Sequence, residues 1–114
     1  MGEDALALAH QAVTILEDKG GEDILLLDLM GICSFADFFI ICSGRSEPTV
    51  RALAEEVARK LKGKRHINVE GDASSGWVLL DLGDIIIHLF SPKLRSYYRL
   101  EDLWHEGRVV VHMR

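Results

Sequence analysis

Apolar residues recur at helical spacing over residues 4–18, with Leu6, Ala9, Val13 and Leu16 flanked by Leu8, Ala12 and Ile15. Asp4 is the expected N-cap, and Lys19-Gly20-Gly21 gives that helix a basic end and a glycine stop. Residues 24–29 form an almost unbroken aliphatic run between glycine and acid, the pattern of a strand buried on both faces. Phe38–Ser43 reads as a second strand, and Gly44-Arg45-Ser46 turns the chain into a second helix. There Ser46 is the expected cap. Pro48 is tolerated in the first turn, where its missing N–H has no helical partner. Val50, Leu53, Ala54, Val57, Ala58 and Leu61 give this helix one apolar stripe, and Gly63 ends it. Residues 67–70 are a short strand candidate. A polar turn over residues 71–76 follows.

The most informative stretch is residues 76–90, where two apolar runs are split by Gly83-Asp84, the signature of a two-residue hairpin turn. Side chains alternate between the faces of a strand. The hairpin therefore places Val78, Leu80, Leu82, Ile85, Ile87 and Leu89 on one wholly aliphatic face, which is expected to meet the helices. The other face carries Trp77, Leu79, Asp81, Ile86, His88 and Phe90. That mixture is odd for a core and too apolar for a face left in water. It either docks a partner or is covered by another layer of the same chain. After Ser91-Pro92, residues 93–104 are expected to hold a helix or helical turns ending in residues 100–104. Residues 109–111 are an edge strand or a loose tail, and the role of residues 105–114 is open. The parts assemble into one α/β domain spanning residues 1–114. Its single mixed sheet has about five strands, with helices mainly on one face. The step from residue 38 to residue 70 is long enough for a parallel crossover.

Charge narrows the function. A net charge of -5 over 114 residues argues against nucleic-acid binding as the main mode, and suits docking on a basic protein. Cys33 and Cys42 lie in or beside apolar runs without metal-type spacing, so they read as reduced thiols of a cytoplasmic protein. No apolar run approaches transmembrane length, and Glu3 and Asp4 stand where a signal peptide carries positive charge.

Few residues invite chemistry. The glycines make no Walker or dinucleotide motif, and His10, His66, His88, His105 and His112 are scattered, so no cofactor or metal is expected. Ser43-Gly44-Arg45-Ser46 is either an anion site at a helix start or a capped turn. Asp81 and Asp84 are the best carboxylate pair, and a nucleotidyl-transfer enzyme would hold magnesium there. Asp84, however, belongs to the turn. Arg59, Lys60, Lys62, Lys64, Arg65 and His66 close the second helix as a solvated basic terminus or as a contact for phosphate or acid. Leu100, Leu103 and Trp104 are expected in the core, with one of Tyr97 and Tyr98 at the surface.

Four motifs in order carry a resemblance. They are Ala36-Asp37-Phe38-Phe39-Ile40-Ile41-Cys42-Ser43-Gly44, Gly76-Trp77-Val78-Leu79-Leu80-Asp81-Leu82-Gly83-Asp84, His88-Leu89-Phe90 and Tyr97-Tyr98-Arg99-Leu100-Glu101-Asp102-Leu103-Trp104. From about Leu6 to Trp104 the chain resembles the Iojap-like family, whose bacterial branch comprises ribosomal silencing factors. The resemblance implies a fold distantly like nucleotidyltransferases, without established catalysis. It further implies binding to the large ribosomal subunit through its fourteenth protein in the universal naming, which blocks joining of the small subunit and represses translation. Organellar relatives support large-subunit assembly. Carried over by position, Trp77, Leu79, Asp81, His88 and Phe90 become partner-binding candidates, with Tyr98 a further one. The remaining alternative is a homodimer in which Trp77 and Phe90 bury each other.

Overall fold

The computed structural model describes residues 2–114, with side chains from Ala5 onward. Helix α1 (Gly2–Asp18) leads into β1 (Glu22–Asp28) and β2 (Phe38–Ser43), then α2 (Glu47–Leu61) and β3 (Asn68–Asp72). A 3-10 turn at Ala73–Ser75 precedes β4 (Trp77–Asp81) and β5 (Ile85–Phe90). Helices α3 (Pro92–Tyr98) and α4 (Leu100–Leu103) lead to the last strand, β6 (Arg108–Met113). Asp4 is not the N-cap expected: the helix begins at Gly2, two residues before it, so Asp4 lies in its first turn. Gly20, at φ +94°, ends α1 as expected. Ser46 caps α2 by accepting the Thr49 N–H at 3.3 Å.

All six strands form one mixed sheet in the order β3-β4-β5-β2-β1-β6. β2 and β5 pair in parallel, and every other neighbouring pair is antiparallel. The hairpin has the expected register, with Trp77 opposite Phe90 and Leu80 opposite Ile87, and Gly83 supplies a φ of +97° that its turn requires. The crossover through α2 does not land beside β2. It carries the chain past β5 and β4 to the edge, so the parallel neighbour of β2 is β5.

α1 and α2 cover one face, and all six aliphatic hairpin residues are buried there with Ile24, Leu26, Phe38 and Ile40. The opposite face gathers Leu25, Leu27, Phe39, Ile41, Ile86 and Phe90 beneath Leu94, Leu100 and Trp104. At the C-terminal end one expectation is corrected and two open alternatives are decided. Of the two readings of residues 93–104, one helix or helical turns, the structure has the second: the chain breaks at Arg99, whose φ of +52° is incompatible with continuing the α-helix. Leu103 is largely exposed, because α4 is one turn long and turns only Leu100 inward. Residues 108–113 are no loose tail. Arg108 and His112 of β6 bind Asp28 and Asp23 of β1 at 2.8 and 3.0 Å, and the strand extends the sheet to six.

Candidate docking face

The second sheet face is divided. Over β1, β2 and β5 it is roofed by α3 and α4, and the roof is held by one buried side chain, Arg95. Its guanidinium donates to Ser43 Oγ and to the Asp23 carbonyl, each at 2.9 Å, and to Glu101 at 3.1 Å. These bonds join α3 to the start of β1, the end of β2 and α4. Over β4 there is no such roof among the described residues. Trp77, Leu79 and Asp81 are half-buried, and a hollow of about 220 Å³ lies beside Trp77 and Leu79 against Glu70 and Gly71 of β3.

His88 and Phe90, expected as contact residues, are 5% and 0% exposed. Phe90 lies under Trp77 and Tyr98, with ring centroids 5.4 and 6.1 Å away, so it has no surface left for a partner or for a second copy of the chain. The homodimer alternative has Trp77 and Phe90 burying each other between copies; here the two rings stack on each other within one chain. His88 sits between Trp77 and Phe39, and its Nδ1 accepts the Trp77 Nε1–H at 3.3 Å. Burial pushes its pKa down to about 4, so the ring is neutral at pH 7, with its proton on Nε2. That Nε2–H is buried without an acceptor among the described residues. His88 and Phe90 thus support the indole from beneath. Tyr98, 45% exposed, packs 5.0 Å from Trp77 at the border between roof and open half. Both tyrosines reach the surface, where one was expected.

The open half has an apolar centre, Trp77 and Leu79, and acids at its margin. Glu70 stands opposite Leu79 in the β3–β4 register, and Asp81 ends β4. Asp81 Oδ1 accepts the Gly83 N–H at 2.8 Å, and Asp84 pairs with Arg65 at 3.1 Å. Each of the two carboxylates considered for magnesium thus holds local structure. Among the described residues, no three His, Cys, Asp or Glu side chains group as metal ligands. Cys42 is a core thiol whose pKa burial raises to about 12. Ser43 Oγ is occupied by Arg95, and Ser46 by its cap.

Residues 2–113 match the model of the family described as ribosomal silencing factor during starvation. The chain belongs to the ribosomal silencing factor family. A member from Halalkalibacterium halodurans, named ribosomal silencing factor RsfS, is 41% identical over 106 residues, covering 90% of each chain. One from Bacillus subtilis with the same name is 44% identical over 98 residues, 84% of this chain and 83% of its own. A crystal structure of a Chromobacterium violaceum protein superimposes with a TM-score of 0.83 at 37% identity, covering 93% of this chain and 92% of the other. The mouse protein named mitochondrial assembly of ribosomal large subunit protein 1 is 28% identical over 97 residues, 81% of this chain and 42% of its own. The family is named for silencing rather than for a catalysed reaction. Among the described residues, no helix is long and apolar enough to cross a membrane. For this silencing factor family member, sequence reasoning missed Arg95. An arginine inside a short helix next to Ser91-Pro92 carries no local sign that its partners lie up to 72 residues away.

Proposed function

We propose that this chain binds the large ribosomal subunit through its fourteenth ribosomal protein, blocks joining of the small subunit by occupying its place, and so represses translation. The observation that carries this reading is the unroofed half of the second sheet face. Trp77 and Leu79 form an apolar centre there, bordered by Glu70 and Asp81, on a sheet whose opposite face is sealed by helices. Such a patch matches a basic protein surface. Desolvated aromatic and aliphatic anchors supply the affinity, and the acids set register and encounter rate. Tyr98 borders the contact, while His88 and Phe90 act through Trp77. Membership of the silencing factor family supports the ribosome as the partner. No cofactor, metal or catalysed step enters this mechanism.

Purified subunits allowed to join and then resolved by gradient sedimentation test the proposal. The wild-type chain is expected to travel with large subunits and prevent joining, and Leu79→Glu to do neither. Trp77→Ala should weaken binding by about 2 kcal/mol, or roughly 30-fold. Normal joining with the wild-type chain left at the top of the gradient would overturn the proposal.

A further inference from the structure

Five of the thirteen Lys and Arg residues fall between Arg59 and Arg65, a stretch without an acid in a chain of net charge -5. The fold lays this run out as a strip. Arg59, Lys62, Arg65 and His66 line a hollow of about 370 Å³ between the end of α2 and β3. Lys64 and Arg65 line a second hollow of about 270 Å³ against α1. Arg65 borders both, so the two adjoin. Only part of the charge is neutralised within the chain. Arg59 and Lys60 share the single carboxylate of Glu56, and Arg65 pairs with Asp84. Lys64 donates to the neutral amide of Gln11 at 2.9 Å. Lys62 is exposed and has no ion-pair partner among the described residues.

Two adjoining cationic hollows fit a chain of regularly spaced anions better than one small anion. The small His66 imidazole is the one aromatic ring among the described lining residues, and no Phe, Tyr or Trp offers a broad platform for stacking successive bases. Both arginines, the side chains suited to forked recognition of carboxylates, are already engaged with Glu56 and Asp84. The charges left over are lysines, which act on phosphate as point charges. We propose that the strip from Arg59 to His66 is a second contact surface, for the phosphodiester backbone of RNA, with Lys62 and Lys64 as its principal charges. It reads charge spacing and no sequence. It goes beyond the protein docking proposed above and does not depend on it.

The test is fluorescence anisotropy of a labelled RNA duplex titrated with the full chain at about 50 and 200 mM salt. Contact with about three phosphates predicts a roughly 40-fold weakening between those salt concentrations. The double variant Lys62→Glu, Lys64→Glu should bind at least tenfold more weakly at the lower salt while keeping the wild-type circular dichroism spectrum and Tm, since both side chains are exposed. Leu79→Glu, on the other side of the sheet, should bind RNA as the wild type does. This separates failure of the strip from failure of the docking face. The proposal is overturned if the double variant binds RNA normally or if the wild type leaves the duplex free at the lower salt. Displacement of the RNA by a poly-glutamate peptide at equal charge concentration, which would make the strip an acidic-peptide site, overturns it too.

Discussion

The two faces of the sheet are covered by different means. Two long helices seal one face with side chains that are almost all aliphatic, and every hairpin residue pointing that way is buried. The other face is roofed by two short helices over β1, β2 and β5 only, and its hairpin residues run from fully buried Phe90 to half-buried Leu79. A face closed by the chain itself needs volume and no polarity. The half for which docking is proposed has a rigid aromatic edge, Trp77 stacked on Phe90 and His88. The sequence offered two readings of this second face, partner or internal layer. The internal layer covers one half of it, and docking is proposed for the other.

The sharpest way to break that division is to truncate one residue on each side of the border. Phe90→Ala should cost about 3–5 kcal/mol of folding stability in urea denaturation, because a buried ring leaves a cavity that rigid neighbours cannot fill. Leu79→Ala should cost less than about 1.5 kcal/mol, since half the side chain is already in water. Equal losses would mean that β4 is as deeply covered as β5.

Arg95→Met tests the roof. It removes the donors to Ser43 and the Asp23 carbonyl and leaves Glu101 unpaired, so about 2–3 kcal/mol should be lost in the same assay. Proton exchange at α3 amides should accelerate more than at α2 amides, because only the roof is released. Uniform acceleration would show that Arg95 stabilises the whole domain rather than one layer.

His88 sharpens the comparison through pH. Its folded pKa of about 4 lies below the 6.5 of an ordinary histidine, so the unfolded chain takes up a proton between those values and the folded chain does not. The stability tied to the neutral ring is complete above pH 6.5 and is lost as pH falls towards 4, by up to about 3 kcal/mol. In urea titrations across that window, His88→Phe should lose less stability than the wild type. Identical slopes would place the acid sensitivity in other groups.

Much of this was legible in the chain because the informative signals were local. The period of two in residues 77–90, with Gly83-Asp84 between the runs, fixed the hairpin register and all six helix-facing residues. The caps at Ser46 and the stop at Gly20 act within a few residues of themselves. What escaped was set at long range. Whether Phe90 and His88 lie under a roof depends on Arg95 reaching Asp23 and Ser43, a contact with no local pattern. The break at Arg99 uses a left-handed residue that is not glycine, so no breaker marks it. The place of β3 at the edge depends on which strands α2 passes over, which periodicity does not encode.

The smallest expected effect isolates charge at the open margin. Asp81 does two things there. Its Oδ1 holds the Gly83 N–H, and its charge faces the proposed partner. Alanine would remove both, whereas Asp81→Asn keeps an acceptor oxygen of the same reach and deletes only the charge. Folding stability should therefore change by no more than about 0.5 kcal/mol. The association rate with large subunits, followed by stopped-flow fluorescence, should fall a few-fold at low salt and converge with the wild type as salt rises. The dissociation rate should stay the same, because the apolar centre at Trp77 and Leu79 is untouched. A slower association that persists at high salt would mean that Asp81 shapes the contact itself. An unchanged association rate at low salt would leave the acidic margin without a part in docking, and the apolar centre would then have to find its partner by diffusion alone.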